Sequence, residues 1–389
     1  MVPKHNSTAR IADIRPFYVM ELMAKAQKLE SEGRSIVHLE VGEPDFPTAP
    51  PIISAAQAFL THGHVHYTPS LGLPELRIAI AKFYQARYQL DVDPQRIVVT
   101  AGASGALLLS LGVLVSAGDE WLIPDPGYPC NRNFARLFDG KPVTIPVSAE
   151  SNFQPTPVDV ARHWTTKTKG LMVASPANPT GTVLTQRQIA DLWREVSARN
   201  GHLVVDEIYH GLTYGLDLQS ALAVDPKIFV INSFSKYFGM TGWRLGWMVV
   251  PEPYLREVEK LAQNLFICPS TIAQHAALAA FKPETLEILE ARRHTFAQRR
   301  DILLGGLRSL GFEIAADPQG AFYIYADCSR FSDDSYEFAD SLLINAGVAT
   351  TSGKDFGTHL ASTYLRFSYT ADVSKLEAAL NRIKLFLGQ

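Results

Sequence analysis

Cysteine is scarce in this sequence, and positive charge is not in excess. The three cysteines, Cys130, Cys268 and Cys328, lie far apart and form no C-x-x-C pair. They predict neither a disulfide framework nor a cysteine ligand set for zinc, and a reducing cytoplasm is the expected location. The formal net charge of -3 and the pI near 6.4 give no basic surface of the kind that binds nucleic acid.

Long apolar runs are also missing. The longest, residues 106–117, is interrupted by Ser110, Gly112 and Ser116 and falls short of the roughly 20 residues that span a bilayer. The segment 1–7 is polar and lacks the apolar core of a signal peptide. With 389 residues, 47% of them hydrophobic, the sequence predicts a globular cytoplasmic protein of about two domains, without membrane or nucleic-acid partners.

Short apolar segments alternate with helical segments along the middle of the chain. Continuous apolar strands separated by helices are typical of a mostly parallel sheet covered by helices on both faces, so the predicted fold class is α/β. The predicted strands are 97–100, 121–123, 170–174, 203–205 and 228–231, and the helices between them are 103–116, 157–164 and 185–199.

Helical patterns also occur towards both ends of the chain. Apolar residues fall on one face of the segment 13–30, and 284–310 carries apolar residues at seven-residue steps, which predicts one long helix. We expect a large domain over residues 50–285. Both chain ends, 1–49 and 286–389, are expected to form a smaller α+β domain that could close over a substrate.

Polar and small residues follow the predicted strands at their carboxyl ends, where open α/β sheets bind ligands. The small-residue turn 101–106 runs into a helix and could bind an anion, although an ordinary tight turn fits equally. Asn178, before Pro179, could aim its amide into the crevice or belong to a plain polar loop. Asp206 ends a buried strand and needs a cation, a proton donor or a helix cap as partner.

The segment 233–246 carries Lys236 and Arg244 among aromatic, small and hydroxyl residues. Desolvation by such neighbours lowers the pKa of an amine, and only a neutral amine attacks a carbonyl to form a Schiff base. A single lysine is more often a solvated surface charge, so the functional interpretation depends on the accompanying segments.

Alternating histidines, His62, His64 and His66, could in principle chelate a metal from one face of a strand. No carboxylate or cysteine lies close enough in the sequence to complete a ligand set. An exposed loop is therefore the preferred interpretation, and no metal is predicted.

Taken in order, these segments resemble the fold-type-I, pyridoxal-phosphate-dependent aminotransferases of class I/II, and most of all the bacterial aspartate aminotransferases. The resemblance extends over nearly the whole chain, from residue 41 to residue 368. The motifs that carry it are Asn178-Pro179-Thr180-Gly181, Asp206 with Tyr209, Ser233-x-Ser235-Lys236, and Arg244 eight residues later.

The resemblance implies a catalytic role for three residues. Lys236 would hold the cofactor aldehyde as an internal aldimine and then move the proton between Cα and the cofactor. Asp206 would keep the pyridine nitrogen protonated, so that the ring accepts electrons. Tyr209, together with Asn178, would hydrogen-bond the ring's 3-oxygen.

The resemblance further implies how the rest of the cofactor is bound. Tyr128 would stack on the ring, at a position where family members often carry tryptophan. Tyr67 would reach the phosphate in the neighbouring subunit, which implies a homodimer with shared active sites. The phosphate itself would be bound by Gly102, Ala103, Ser104, Ser233 and Arg244.

Substrate binding is implied for the strand predicted over 364–369, which alternates polar and apolar side chains with Arg366 on its polar face. A lone strand arginine is usually a surface charge, but the resemblance makes Arg366 the clamp for the substrate α-carboxylate. It also gives Gly42 the role of letting the backbone approach the substrate closely.

The donor amino acid is less defined. The helix after the glycine turn has no cation over 107–113, where the bacterial aspartate enzymes carry a lysine that helps bind a distal carboxylate. Phe17 and Tyr18 lie where some relatives have small pocket residues, although Arg15 could still serve a carboxylate. We expect transfer from an L-amino acid, whether aspartate, aliphatic or aromatic, to 2-oxoglutarate by a ping-pong mechanism.

Two alternatives remain open from the sequence. One is a C–S β-lyase, because reactions on this cofactor diverge after the first proton is removed. The other is a non-catalytic binding or regulatory module of the same fold, which the intact Lys236 disfavours.

Overall fold

The computed structural model of the protein describes Ile11, Ile14 and residues 16–389. Its strands are β1 (Val37–His38), β2 (Ile97–Thr100), β3 (Glu120–Asp125), β4 (Lys141–Pro146), β5 (Thr168–Ala174), β6 (His202–Asp206), β7 (Phe229–Ser233), β8 (Gly246–Val249), β9 (Tyr323–Asp327), β10 (Val348–Ala349), β11 (Thr351–Ser352) and β12 (Tyr364–Ser368).

The α-helices of the described residues complete the element set. They are α1 (Tyr18–Ser31), α2 (Pro50–Thr61), α3 (Pro74–Tyr88), α4 (Gly102–Leu114), α5 (Pro129–Leu137), α6 (Pro157–His163), α7 (Gln186–Ser197), α8 (Leu255–Leu265), α9 (Thr271–Ala277), α10 (Pro283–Ser309), α11 (Ser335–Ser341) and α12 (Val373–Phe386). None of these helices is both long enough and apolar enough to cross a membrane.

A seven-stranded sheet in the order β2-β8-β7-β6-β5-β3-β4 forms the centre of the fold. Strands β3 to β7 run parallel, and β8 lies antiparallel to both β2 and β7. Successive residues of one strand belong to different cores: Val204 packs in one apolar cluster, and Leu203 and Val205 pack in the other. Because side chains alternate along a strand, the sheet is buried on both faces, which confirms the predicted α/β class.

The second half of the chain adds a three-stranded antiparallel sheet in the order β11-β12-β9, and β1 pairs in parallel with β10. The strand expected around Arg366 is present as β12. All five of its residues are buried, so its polar face is turned towards the interior of the protein.

Helix α10 runs from Pro283 to Ser309 as the seven-residue pattern predicts, with Leu289, Phe296 and Leu303 buried. The first helix differs from the prediction over 13–30. It begins at Tyr18, after Phe17, which is extended (φ -74°, ψ 126°) as residues at a helix N-cap are, and Asp13 lies outside the described residues.

Candidate active site

A cavity of about 260 Å³ opens where the parallel strands end. Polar residues that follow β3, β5, β6 and β7 converge there, as the sheet topology requires. Its lining consists of Gly42, Ala103, Ser104, Leu107, Tyr128, Ala174, Asn178, Asp206, Ile208, Tyr209, Ser235, Lys236, Thr241, Arg244, Tyr323 and Arg366.

A second, more open cleft of about 440 Å³ lies beside Trp243 and Ser270. It is larger, but the only ionisable side chain among the described residues that line it is Glu43. The smaller cavity therefore holds the groups suited to chemistry.

Lys236 brings a primary amine into the cavity from the loop after β7. Its Nζ donates a hydrogen bond to the carbonyl oxygen of Gly42 at 2.7 Å. Burial lowers the pKa of Lys236 to about 8, against the attraction of Glu43 and with a further lowering by the positive charge of Arg366. A substantial fraction of this amine is therefore neutral near physiological pH.

Asp206 ends β6 and is 5% exposed. Its carboxylate accepts a hydrogen bond from the backbone N–H of Ile208 at 3.0 Å, and no described residue forms a salt bridge with it. Burial raises the pKa of Asp206 to about 6, although the Ile208 N–H and the charge of Lys236 act in the other direction. A buried carboxylate that forms no salt bridge can receive a positively charged N–H group.

Arg244 and the start of α4 together form an anion site. Arg244 has a left-handed backbone (φ 53°), and its Nη1 donates to the Thr241 carbonyl at 2.9 Å. Gly102 has a φ of 70°, which favours glycine, and an added Cβ would lie 2.8 Å from Nη2 of Arg244 and push the guanidinium away from this turn. No side chain among the described residues caps the first turn of α4, which leaves its N–H groups available to an anion.

Arg366 presents a buried guanidinium to the same cavity. Nη1 donates to Oδ1 of Asn178 at 3.0 Å, and Nη2 donates to the carbonyl oxygen of Glu40. Its Nε has no hydrogen-bond partner among the described residues. The guanidinium carbon lies 4.3 Å from the ring centre of Tyr323 and 4.7 Å from that of Phe356. Such a fixed, incompletely bonded guanidinium suits a carboxylate.

Two tyrosines complete the polar lining. The hydroxyl groups of Tyr209 and Tyr323 lie 2.9 Å apart, and burial raises the pKa of both. Burial also raises the pKa of Tyr128, so these phenols remain protonated and are able to donate hydrogen bonds.

Some residues singled out in the sequence lie outside the cavity lining. Ser233 is buried at the end of β7, where its hydroxyl donates to the carbonyl of Leu245, and Ser235 lines the cavity instead. Tyr67 is 81% exposed and is not among the residues that line the cavity of its own chain. Phe17 and Tyr18 line a separate cleft of about 330 Å³.

Arg15 falls outside the described residues. The rings of His64 and His66 lie 6.1 Å apart. Within residues 16–389, together with Ile11 and Ile14, no group of three histidine, cysteine or acidic residues is placed to hold a metal ion.

Sequence reasoning missed several lining residues. Ser235 stands next to Lys236, and its position within the Ser-x-Ser-Lys motif could have suggested it. No role was predicted for Tyr323, although the segment 320–323 resembles a family segment, and none for Leu107, because a tyrosine beginning a strand and a leucine within an apolar helix are ordinary core residues. Their participation depends on the tertiary arrangement.

Comparison with known proteins places this arrangement in a family. The model of the family described as aminotransferase class I and II matches residues 34–383. The chain is 39% identical to the valine–pyruvate aminotransferase of Mycobacterium tuberculosis over 97% of each chain. It is 34% identical to the aspartate aminotransferase of Thermotoga maritima over 97% of this chain and 98% of that protein.

A solved structure agrees with these sequence matches. The crystal structure of an aminotransferase from Mycobacterium tuberculosis superposes with a TM-score of 0.95 at 39% identity, over 99% of both chains. The match extends over the central sheet, the strand-end loops and the C-terminal sheet alike. This chain therefore belongs to the aminotransferases of class I and II, enzymes of fold type I that depend on pyridoxal phosphate.

Proposed function

We propose that the strand-end cavity binds pyridoxal phosphate and transfers the amino group of an L-amino acid with an uncharged side chain to a 2-oxo acid. The observation that carries this proposal is a pair of groups in one cavity: the amine of Lys236, whose pKa is lowered to about 8, and the buried carboxylate of Asp206, which forms no salt bridge with any described residue.

The residues present fit this cofactor at three points. Asp206 can accept the protonated ring nitrogen. Arg244 and the uncapped start of α4, around Gly102, offer donors to a phosphate, and Ser235 lines the same end of the cavity. Tyr209 and Asn178 carry donors for the ring's 3-oxygen, and Tyr128 supplies an aromatic face.

When bound, pyridoxal phosphate supplies an aldehyde and a ring that accepts the electron pair released as a Cα–H bond breaks. Lys236 Nζ, in its neutral form, would accept the proton from the substrate Cα and, once protonated, would be the group able to give that proton back during transfer. Asp206 would accept a hydrogen bond from the ring nitrogen and so favour its protonated form. Arg366 binds the substrate α-carboxylate and so orients the Cα–H bond towards Lys236.

Charge bookkeeping supports an uncharged donor side chain. The described residues that line the cavity include three cations, and each already has a role: Lys236 as the base, Arg244 for phosphate and Arg366 for the α-carboxylate. Leu107 lines the cavity on α4 and is apolar. A second carboxylate would thus be desolvated without a counter-charge, which is costly. The relative from Mycobacterium tuberculosis is named for valine and pyruvate.

The number of cations in the cavity also bears on the acceptor. 2-Oxoglutarate, which the sequence suggested, carries a distal carboxylate, whereas pyruvate carries only the one that Arg366 would bind. Pyruvate is therefore the second candidate acceptor. The test is a panel of donors, including valine, leucine, phenylalanine and aspartate, assayed with each acceptor. Turnover of aspartate alone contradicts a donor with an uncharged side chain. Ammonia release from cysteine-type substrates favours the β-lyase alternative. No turnover with any pair of donor and acceptor contradicts the proposed transaminase activity.

The lowered pKa of Lys236 predicts how cofactor capture depends on pH. With a pKa of about 8, the neutral fraction of the amine rises about tenfold between pH 7 and pH 9 and then levels off. Stopped-flow absorbance of apoenzyme mixed with pyridoxal phosphate measures this rate. A rate that keeps rising tenfold per pH unit up to about pH 10, as an unperturbed lysine requires, contradicts the lowered pKa.

Leu107→Lys should shift donor preference towards acidic amino acids. The added ammonium would face the cavity and supply the missing counter-charge, so we expect the ratio of kcat/KM for aspartate to that for valine to rise by about tenfold or more. Leu108→Lys is the matched control, because it adds the same charge to the same helix at a residue outside the lining. Equal shifts in both variants would point to a general charge effect.

The exposure of Tyr67 supports a homodimer in which each chain completes the site of its partner. A large aromatic side chain that is 81% exposed, and does not line the cavity of its own chain, is available to a second copy. Sedimentation equilibrium distinguishes this assembly from a monomer. We also propose that residues 50–285 form one domain and that 1–49 with 286–389 form the other.

A further inference from the structure

We propose that Tyr323 is a positioning residue: its hydroxyl directs the proton of Tyr209 towards the cofactor, and its ring supports the guanidinium of Arg366. This inference rests on the proposed function of the cavity. Tyr323 would thus act at both ends of the site: through Tyr209 where the cofactor's 3-oxygen would lie, and through Arg366 where the substrate carboxylate would lie.

Tyr323 occupies a fixed position between the two ends. It is the first residue of β9, is 2% exposed, and pairs with Ser368 of β12, the strand that also carries Arg366. Its ring meets that of Tyr209 edge-on, with centroids 5.8 Å apart at 84°. Because β9 and β12 are paired strands of one sheet, the position of Tyr323 relative to Arg366 is set by backbone hydrogen bonds.

The bound cofactor would determine which of the two phenols donates the hydrogen bond between them. Each phenol has one proton, and the oxygens of Tyr209 and Tyr323 lie 2.9 Å apart. If Tyr209 donates its proton to the ring's 3-oxygen, the bond between the two phenols requires Tyr323 to be the donor. A donor to Tyr209 polarises its O–H group and strengthens the hydrogen bond that Tyr209 makes in turn.

Glycine at position 42 keeps the Tyr323 hydroxyl in this place. A Cβ added there would lie 1.8 Å from the hydroxyl oxygen, so any side chain at this position would displace it. The same Gly42 accepts the hydrogen bond of Lys236 through its carbonyl oxygen. Tyr323 therefore packs directly against the backbone that holds the reactive amine.

The ring of Tyr323 acts separately from its hydroxyl. The guanidinium of Arg366 lies 4.3 Å from the ring centre, within cation–π distance, and the ring of Phe356 contacts the same group. These contacts restrain the guanidinium plane while its Nε remains without a partner among the described residues. Removing only the hydroxyl leaves this support in place, and removing the ring abolishes it.

Tyr323→Phe tests the role of the hydroxyl through a spectroscopic titration. A hydrogen bond from Tyr209 to the 3-oxygen would stabilise the anionic form of that oxygen. The holoenzyme would then lose the proton near Lys236 Nζ at a lower pH. Weaker donation from Tyr209 should raise the pKa of the holoenzyme's visible absorbance band by about 0.5 to 1 unit. The matched control is Tyr325→Phe on the same strand, whose buried hydroxyl has no hydrogen-bond partner among the described residues, and it should leave this pKa unchanged.

Tyr323→Leu tests the role of the ring. Its loss should weaken the binding of 3-methylbutanoate, a carboxylate without an amino group, by about threefold to tenfold, whereas Tyr323→Phe should retain wild-type affinity. Spectral titration of the holoenzyme measures both affinities. If the leucine variant does not fold, the phenylalanine variant and its control still decide the role of the hydroxyl.

The outcomes separate this inference from the function on which it rests. A wild-type protein that develops no visible band with pyridoxal phosphate contradicts the proposed function itself. A wild-type band that titrates normally, with no shift in Tyr323→Phe or an equal shift in Tyr325→Phe, overturns only the role of the Tyr323 hydroxyl. Unchanged carboxylate affinity in a folded Tyr323→Leu variant overturns the role of the ring.

Discussion

Lys236→Arg should lower kcat for transamination by on the order of 10⁴-fold, even though the positive charge is retained. A guanidinium stays protonated at any accessible pH, so it can neither attack an aldehyde nor take a proton from Cα. Lys236→Ala should lose activity to a similar extent for the simpler reason that no nitrogen remains. Steady-state assays with the best donor from the panel measure both losses.

Cofactor attachment provides the second measurement for these variants. Borohydride reduction followed by peptide mapping should find a pyridoxyl group on Lys236 in the wild-type protein and on no residue in Lys236→Ala. Lys227→Ala is a suitable control, because that lysine is exposed and does not line the cavity, and this variant should keep full activity. Full activity in Lys236→Ala would refute the assignment of the amine.

Much of the fold was predictable because its strands are short apolar runs between helical patterns. The strand ending at Asp206 and the helix over Pro283–Ser309 appear within two residues of the predicted bounds. Strand direction carries no such signal: β8 runs antiparallel to its neighbours, and its apolar residues would read the same in a parallel strand. The prediction of a mostly parallel sheet is therefore confirmed, but the sequence did not indicate that β8 runs in the opposite direction.

The candidate site was predictable only where polar groups follow strands. Asn178, Asp206 and Lys236 are such groups, and the sheet brings them to one edge. Leu107 and Tyr323 reach the cavity from a helix face and from a strand of the second sheet, positions that depend on packing between elements distant in sequence. Sequence periodicity reports which face is buried but not which neighbour it meets.

The helix start at Tyr18 also depended on a distant partner. The carboxylate of Asp355 accepts hydrogen bonds from the backbone N–H groups of Tyr18 and Val19, both at 2.8 Å. This caps the N-terminus of α1 from more than 300 residues away in the sequence, which no local capping signal could indicate. The same contact helps to place Tyr18 in the separate cleft beside Asp355.

The cavity brings together groups that each cost folding free energy. A lysine whose pKa is lowered and an aspartate whose pKa is raised are both less stable in their charged forms than they would be in water. Such groups persist where the protein binds a ligand that compensates them, and here the compensating charges would be the cofactor's ring nitrogen and phosphate. Activity and apoprotein stability should therefore respond in opposite directions when these charges are removed.

Asp206→Asn is the clearest test of that opposition. The amide keeps the shape of the side chain and an oxygen for the Ile208 N–H, but it no longer holds a proton on the ring nitrogen, so we expect kcat to fall by about 10²- to 10³-fold. Burial raises the pKa of Asp206 from its usual range near 4 to about 6, so the folded state binds the proton more tightly than the unfolded state.

The charged carboxylate therefore destabilises the apoprotein above pH 6, by up to about 3 kcal/mol, and this penalty disappears as the pH falls from 6 to about 4. Denaturant unfolding of the apoprotein should show Asp206→Asn to be at least as stable as the wild type at pH 8, with the difference vanishing near pH 4. Glu207→Gln is the matched control: this neighbouring carboxylate is equally buried but bonds Ser220 and Ala221 outside the cavity, so activity should be retained. An Asp206→Asn variant that keeps its activity would contradict the role of the carboxylate in catalysis. A variant that is less stable than the wild type at pH 8 would contradict the destabilising effect of its charge.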